Sequence, residues 1–376
     1  MKVCYFGTYR SEYSRNRIMI EGLRLAGVEV IEVQEVLWKN IDDRIQTASG
    51  GWARVSFWVR LFSTYLHLIR RYFRTEDHDL VIVGYPGQLD VYFARILSWI
   101  RQKPLVWDIF MSIYLISIER GLDRQHSLSI ILLRWLEKTA THLPDRLILD
   151  TKQYIDWFFK VHGVPSKRFR LVPTGADDRI YHPIPIIKEN NELFRVVYFG
   201  TFIPNHLVET IIEAARLLKN NSSIFFELIG TGPDKLLCEI LAEKYDLTNL
   251  VFIDWLPEIE LVTHINMGDV VLGVFGLTPQ SLMTIQNKIF SGLAMAKPII
   301  TGDSDAIRDA FTHQQHLYLI ERNNPAALAE AISSLSTDPQ LCSYLSEQGY
   351  QRFISNYNIK NIGEIFHAHL CEIIEN

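Results

Sequence analysis

A lysine at the start of a predicted helix is the residue whose position most clearly points to chemistry. Lys288 lies in the first turn of a helix that we expect to begin near Ile285, after a strand and a long loop. A cation there is unfavourable by about 0.3–1 kcal/mol, because a helix N-terminus carries partial positive charge. A bound diphosphate would offset that cost. The position therefore predicts an anion site, with an ordinary surface lysine as the alternative.

A glycine turn offers a second position for an anion. Gly230 and Gly232 follow the apolar run 225–229 and precede a helical stretch. Glycines allow backbone N–H groups to approach an anion closely, although a plain strand-to-helix turn explains the pattern equally well. The chain contains neither GxGxxG nor GxxxxGK[ST], which argues against a dinucleotide cofactor and against a P-loop.

Asp108 is the candidate for proton transfer. It follows the apolar run 105–107, and the carboxyl end of a parallel strand is where open α/β sheets bind ligands. A carboxylate at that point could orient an acceptor or take its proton. A helix N-cap is an equally good interpretation.

The candidate residues lie among short apolar runs, and a helix-length amphipathic stretch follows each run. Such alternation predicts parallel sheets buried on both faces, arranged as two doubly wound α/β domains. The runs are 3–6, 28–33, 80–83, 105–107, 147–149, 169–172, 196–199, 225–229, 250–253, 270–274, 298–301 and 317–320.

A sequence motif that occurs once in each half supports the division into two domains. Tyr-Phe-Gly-Thr occurs at 5–8 and again at 198–201, each time before a helical stretch. The Pro-containing, polar segment around residue 188 reads as a linker. We therefore predict an N-terminal domain (1–182), a linker (183–194), a C-terminal domain (195–355) and a final amphipathic helix (356–376). Either domain could cover the apolar face of that helix.

Composition and charge exclude several classes of protein. The formal net charge of −5 is too close to neutral for whole-surface nucleic-acid binding, so we expect no nucleic-acid partner. Basic residues prevail in the first half and acidic ones in the second. The polar and basic start, MKVCYFGTYR, leaves no room for a signal peptide, and no run resembles a membrane span. We expect a cytoplasmic protein.

The segment 52–74 has a composition typical of a helix at a membrane surface. One predicted face carries only apolar side chains: Val55, Trp58, Val59, Phe62, Leu66 and Ile69. The opposite face is basic, and no acidic residue occurs from 44 to 75. This pattern suits peripheral contact with anionic lipid at the inner face of the membrane. A core-facing helix with a solvated basic face is the equally weighted alternative.

Several segments resemble glycosyltransferase family 4, whose retaining enzymes have the GT-B fold. Where members often read NKxxExLAxGKPVITGD, this chain reads NKIFSGLAMAKPIITGD from residue 287. The resemblance extends to YFGTFIPNHLVETIIEAARLL, FELIGTGPDK and FIDWLP, and to VPTGADDRIYHP in the first half. It implies two facing Rossmann-like domains with a deep interdomain cleft, the second binding a nucleotide sugar.

Carried over by position, the resemblance assigns roles to individual residues. Asn287 and Lys288 would meet the diphosphate, with Lys288 as the catalytic cation, and Asp108 would face the acceptor. The remaining donor-binding residues would be Gly200, Thr201, His206, Gly230, Gly232, Asp254, Trp255, Phe275, Gly276 and Ser291. No metal is implied, and we expect none at Asp303-Ser304-Asp305, although that sequence reads DxD.

The sequence therefore predicts a hexosyltransferase-type enzyme that moves a sugar, with retention, onto the hydroxyl of a glycan or lipid-linked acceptor. Cell-envelope or exopolysaccharide synthesis would be its setting. Ser291, Met283 and Leu115 stand where relatives have acidic residues or, at 283, arginine. These departures leave two alternatives open: a non-catalytic nucleotide- or glycan-binding subunit, and an isomerase that splits a nucleotide sugar without an acceptor.

Overall fold

The computed structural model describes residues 1–37, 51–125, 127–185 and 193–375. It divides the chain into two units: unit 1 comprises Met1–Pro173 and Ile359–Asn376, and unit 2 comprises Thr174–Asn358. Each unit is built around one six-stranded sheet in which every pairing is parallel. The predicted doubly wound α/β class is therefore confirmed.

The sheet of unit 1 has the strand order β2-β1-β3-β4-β5-β6. Its strands are short and mostly buried, because helices cover both faces. The strands are β1 (Lys2–Gly7), β2 (Glu29–Gln34), β3 (Leu80–Val83), β4 (Leu105–Asp108), β5 (Arg146–Leu149) and β6 (Phe169–Leu171).

The helices of unit 1 lie in two layers. Right-handed crossovers place the helix between β1 and β2 on one face and those between β2 and β6 on the other, since the strand order reverses at β1. The helices are α1 (Ser14–Leu25), α2 (Val55–Arg74), α3 (Asp90–Arg101), α4 (Ile113–Glu119), α5 (Leu122–Gln125), α6 (Ser127–Ala140), α7 (Lys152–His162) and the final α16 (Ile359–Glu375).

The final helix belongs to unit 1. Unit 1, and not unit 2, therefore covers its apolar face. Helix α16 packs against α1 at a pair of glycines: a Cβ on Gly363 would lie 1.9 Å from the carbonyl oxygen of Gly22. Its buried side chains, including Ile362 and Phe366, join the unit 1 core.

The sheet of unit 2 has the strand order β12-β11-β10-β7-β8-β9. Its strands are β7 (Phe194–Phe199), β8 (Ile224–Ile229), β9 (Leu250–Ile253), β10 (Val270–Leu272), β11 (Ile299–Gly302) and β12 (Tyr318–Ile320). Its helices are α8 (Glu209–Leu217), α9 (Lys235–Lys244), α10 (Glu258–Met267), α11 (Pro279–Met283), α12 (Asn287–Ala294), α13 (Asp305–Ala310), α14 (Pro325–Thr337) and α15 (Pro339–Asn356).

The boundary between the units differs from the predicted linker. The chain passes from unit 1 to unit 2 between Pro173 and Thr174, ahead of the predicted linker 183–194, of which residues 186–192 lie outside the described residues. Residues such as Ala176 and Tyr181 pack into the core of unit 2, so this stretch is part of that unit. Within the described residues, no helix is long and apolar enough to cross a membrane.

Candidate functional site

Four of the predicted donor residues meet where β7 ends. The Lys288 Nζ lies 3.5 Å from the Nδ1 of His206 and 3.8 Å from the ring centre of Tyr198. Gly200 follows β7, and a Cβ built on it would lie 3.1 Å from that Nζ. The carbonyl oxygen of Thr201 accepts a hydrogen bond from His206 Nδ1 at 2.6 Å. The turn after β7 and the start of α12 thus form one site.

The electrostatics of this site favour an anion. Lys288 is only 5% exposed, and no carboxylate pairs with it in the part of the chain that the structure describes. Burial lowers the pKa of Lys288 well below its ordinary value. Burial, and then the charge of Lys288, lower the pKa of His206 well below its usual range, so this histidine is neutral at pH 7. A diphosphate would supply the missing negative charge.

Backbone donors surround the same position. Helix α12 begins at Asn287 rather than near Ile285 as predicted, and Lys288 remains in its first turn. Gln286 gives no side-chain cap, and the first turn holds no acidic residue, so the first N–H groups have no acceptor within the helix. Within the described chain, the N–H of Thr201 also lacks an acceptor. These donors suit a phosphate oxygen.

Gly230 and Gly232 hold the floor of the site together. Gly230 has φ +136°, and a Cβ there would lie 2.0 Å from the carbonyl oxygen of Gly200. A Cβ on Gly232 would lie 2.3 Å from the carbonyl oxygen of Phe202. The two glycines therefore let the turn after β8 pack directly on the turn after β7.

The loop after β10 closes another side of the site. Phe275 is buried, and its N–H donates to the carbonyl oxygen of His206 at 3.0 Å. A Cβ on Gly276 would lie 2.3 Å from the carbonyl oxygen of Asn205. Ser291 is buried in α12, one turn after Lys288. Phe275 and Gly276 thus pack against the turn that carries Asn205 and His206, and Ser291 lies on the same helix as Lys288.

Arg322 is a residue of this region that sequence reasoning missed. Its Nη1 donates to the carbonyl oxygen of Gly276 at 2.8 Å and to Ser281 Oγ at 2.9 Å, while Nε donates to the carbonyl oxygen of Asp303 at 2.6 Å. Burial lowers the pKa of Arg322 to about 10. Arg322 follows β12 in a loop without periodicity, so nothing in the sequence indicated that it fixes the loop after β10.

The predicted base-binding residues lie further along the same sheet edge. Asp254 and Trp255 follow β9, which is two strands from β7, or about 10 Å at the usual strand spacing. The Asp254 carboxylate is largely exposed and pairs with Lys235 Nζ at 2.5 Å. The exposed ring of Trp255 is free to stack on a flat ligand group.

Asp108 does not fit its predicted role. Its carboxylate is fully buried, and both oxygens accept hydrogen bonds from Arg15 at 2.9 Å. The remaining donor of Arg15, Nη1, bonds the carbonyl oxygens of Val172 and Pro173. Burial raises the pKa of Asp108, against the opposing effect of Arg15. Asp108 ends β4 as predicted, but its carboxylate is buried in the core of unit 1 and is held there by Arg15.

The neighbouring polar side chains are structural as well. Glu137 is fully buried and accepts hydrogen bonds from Ser112 Oγ at 2.5 Å and from the N–H of Ile113 at 2.7 Å, and so caps α4. His162 Nε2 lies 3.1 Å from Glu137. Leu115, which stands where relatives have an acid, packs inside the same buried region.

The DxD sequence has a local structural role. Both carboxylate oxygens of Asp303 bond Arg308, and Ser304 caps α13 by accepting from the N–H of Ile307. In the residues that the structure describes, no group of three or more His, Cys, Asp or Glu side chains could hold a metal ion.

Comparison with known proteins supports the interpretation of unit 2. Residues 184–352 match the family model described as "Glycosyl transferases group 1", a range that includes every predicted donor residue. The lipopolysaccharide core biosynthesis glycosyltransferase LpsD of Rhizobium meliloti (strain 1021) is 24% identical over 176 residues. That match covers 46% of this chain and 48% of LpsD, so it spans about half the length of this relative.

Solved structures extend the likeness to the whole chain. Sucrose-phosphate synthase from Thermosynechococcus elongatus gives a TM-score of 0.73 at 14% identity, covering 100% of this chain and 99% of that one. Anabaena Alr3699/HepE in complex with UDP gives 0.70 at 13% identity, covering 99% and 100%. At such identities the likeness shows the fold alone, and it is the predicted GT-B architecture of two Rossmann-like domains.

Proposed function

We propose that this protein is a glycosyltransferase that uses a nucleotide-sugar donor. The observation that carries the proposal is the buried side-chain nitrogen of Lys288, which faces the Gly200 turn and the start of α12 without a carboxylate partner in the described residues. A buried cation without a counterion costs free energy unless a ligand supplies one. The match of residues 184–352 to glycosyl transferases makes the diphosphate of a nucleotide sugar the fitting ligand.

The proposed reaction exchanges one bond for another at the sugar. The bond between the anomeric carbon and the diphosphate oxygen breaks, and its electron pair leaves with the diphosphate. A new bond forms to the acceptor oxygen, whose proton is released. Lys288 and the N–H groups at the start of α12 stabilise the negative charge on the departing diphosphate. Resemblance to family 4 supports retention of configuration and independence of metal.

We further propose a glycan or lipid-linked acceptor of the cell envelope or an exopolysaccharide, met at the inner face of the membrane. LpsD, as its name says, acts in lipopolysaccharide core biosynthesis, which supports an envelope acceptor. Residues 52–74 would provide peripheral contact with anionic lipid. We do not assign the acceptor base to Asp108, because Arg15 bonds both of its carboxylate oxygens.

A thermal-shift panel of UDP, GDP, ADP and their common sugars, with and without EDTA, tests donor binding. At 100 times its dissociation constant, a ligand adds about 2.7 kcal/mol of stability. We expect one nucleotide to raise the melting temperature regardless of EDTA. Lys288→Met should reduce that stabilisation to about 0.4–1.4 kcal/mol at the same ligand concentration, whereas Lys219→Met, which changes a surface lysine paired with Asp246, should keep it. No shift with any nucleotide would contradict the proposal.

A non-catalytic nucleotide-binding subunit is the second candidate. It is favoured by the buried Ser291 in α12, where relatives have glutamate, and by the sequestration of Asp108. Turnover of a radiolabelled donor separates the two functions: a nucleotide that binds but is never consumed indicates the subunit. Product that forms without any acceptor would indicate the isomerase instead.

A further inference from the structure

The apolar face predicted for α2 points away from the core of unit 1. The core contacts are made by a different set of side chains: Phe57, Tyr65, Leu68 and Tyr72 are buried. Val55, Trp58, Val59 and Phe62 are all more than half exposed. Helix α2 therefore has one apolar face for the sheet and a second one without a partner in the described residues.

Two further helices repeat this arrangement. Helix α3 exposes Ile96, Trp99 and Ile100, and helix α6 exposes Leu128, Ile131, Leu132 and Trp135. In each helix the exposed apolar residues are spaced by three and four positions, so they form one stripe along its outer side. Each stripe contains one exposed tryptophan: Trp58 is 54% exposed, Trp99 65% and Trp135 60%.

The three stripes lie on one surface of unit 1. The right-handed crossovers place α2, α3 and α6 on the same face of the sheet. Tyr65 of α2 stacks on Phe93 of α3 with ring centres 3.9 Å apart. Tyr92 of α3 donates to the carbonyl oxygen of Leu136 in α6 at 2.9 Å. We call the exposed apolar stripes of α2, α3 and α6 the three-helix face.

The exposed charges that these three helices themselves carry have a single sign, although Glu35 pairs with Arg71 and Asp145 pairs with Arg95 beside them. The acidic residues of these helices are Asp90 and Glu137, and both are buried. The exposed charged residues on them are all basic: Arg70, Arg71, Arg74, Arg134 and Lys138. Large exposed apolar patches are rare on monomeric soluble proteins, and tryptophan is favoured where one end of a side chain is apolar and the other is wet.

We infer that the three-helix face docks on an anionic lipid bilayer. Apolar side chains would enter the boundary between headgroups and acyl chains. Arg70, Arg74, Arg134 and Lys138 would meet lipid phosphates, whereas Arg71 already pairs with Glu35. The inference rests on the membrane contact proposed for residues 52–74 and extends it to α3 and α6. A second copy of this chain, or another protein, is the alternative occupant that the experiment distinguishes.

Co-sedimentation with vesicles tests this inference. Sucrose-loaded vesicles of phosphatidylcholine with 30% phosphatidylglycerol are compared with vesicles of phosphatidylcholine alone. We expect binding to the anionic vesicles, and a decrease of about 30-fold for Arg70→Gln with Arg74→Gln, because each basic residue contributes about 1 kcal/mol. The pair Ile131→Ser and Trp135→Ser on α6 should lower binding at least about tenfold. Leu236→Ser with Ile240→Ser, on the exposed surface of α9, is the matched control.

The outcomes distinguish the parts of the proposal. If substitutions on α2 weaken binding and those on α6 do not, the extension beyond residues 52–74 is wrong. Equal binding to both vesicle types overturns the role of anionic lipid. Absence of vesicle binding, with dimers seen by analytical ultracentrifugation that Trp135→Ser disrupts, assigns the face to a second copy. The nucleotide shift in Ile131→Ser with Trp135→Ser should stay intact, which checks folding and separates this inference from donor binding.

Discussion

The two units contain the same Tyr-Phe-Gly-Thr turn, but opposite charges face it. In unit 1, a Cβ on Gly7 would lie 2.6 Å from the Oδ2 of Asp90. In unit 2, a Cβ on Gly200 would lie 3.1 Å from the Nζ of Lys288. In unit 1, β3 pairs with β1, and Asp90 lies in the first turn of α3, which follows β3. In unit 2, β10 pairs with β7, and Lys288 lies in the first turn of α12, which comes after β10. The positions are equivalent, and only the charge differs.

This difference shows what the turn in unit 2 lacks. The N–H of Thr8 donates to the Asp90 carboxylate at 2.8 Å, and Tyr65 OH donates to it at 2.5 Å. In unit 1, the Asp90 carboxylate therefore provides the negative charge that the Thr8 N–H of the turn binds. The equivalent N–H of Thr201 has no acceptor in the described structure, and a cation faces it. We therefore expect the proposed donor to complete this turn of unit 2 with an external anion, as Asp90 completes the turn of unit 1.

The largest expected effect comes from breaking the turn of unit 2. Gly230→Ala places a methyl group 2.0 Å from the Gly200 carbonyl oxygen, at a φ of +136°. The backbone must shift, and we expect a loss of more than about 3 kcal/mol of unfolding free energy. Gly27→Ala, also at positive φ but with no atom within 4 Å of its Cβ, should lose only about 1 kcal/mol. Urea denaturation measures both, and equal losses would contradict the tight packing of the two turns.

Removing the two opposite charges should have opposite effects on stability. Asp90→Ala leaves the buried donors of Thr8 and Tyr65 without an acceptor, and we expect a loss of about 2–4 kcal/mol. Lys288→Met removes a buried amino group that lacks a carboxylate partner in the described residues, so the ligand-free protein should become more stable.

Nucleotide binding should follow the reverse pattern. Asp90→Ala should leave the dissociation constant unchanged, because its turn is already filled from within. Lys288→Met should raise that constant by about 10- to 100-fold, the value of a charge-assisted hydrogen bond of about 1.5–3 kcal/mol. Isothermal titration calorimetry measures both variants. Weaker nucleotide binding by Asp90→Ala, in protein that remains folded, would show that the two turns do not act separately.

Much of the fold was predictable because its signals are local. Each of the apolar runs identified in the sequence is a strand, with ends within about two residues of those predicted. Short buried runs are fixed by hydrophobicity and chain direction alone. The proximity of Gly200 and Thr201 to Lys288 was also predictable, because parallel strands bring their carboxyl ends to one edge of the sheet.

The partners of individual side chains were not predictable. Asp108 lies at the end of a strand as expected, but its role is decided by Arg15, 93 positions earlier. Arg322 reaches Gly276 from 46 positions away. Asp90, which completes the first turn, is 82 positions from Thr8. Nothing in the local sequence specifies such pairings, because they depend on how distant elements pack.

The smallest effect, and the sharpest test of the comparison, is the pH dependence of stability. Burial lowers the pKa of Lys288 in the folded protein, whereas in the unfolded chain it stays near 10.5. At a pH between these two values, Lys288 is protonated in the unfolded chain and unprotonated in the folded one. The stability of the wild type relative to Lys288→Met should therefore rise with pH in this window, by at most about 1.4 kcal/mol per pH unit.

The groups that face Lys288 do not disturb this measurement. Burial lowers the pKa of His206 well below 6.5 and raises that of Tyr198 well above 10, so neither side chain titrates between pH 7 and 9. Urea denaturation of both proteins across that range gives the difference, and saturating nucleotide should abolish its slope by keeping Lys288 protonated. A flat difference without ligand would mean that Lys288 retains its proton. The turn of unit 2 would then already have a negative partner, as the turn of unit 1 has in Asp90.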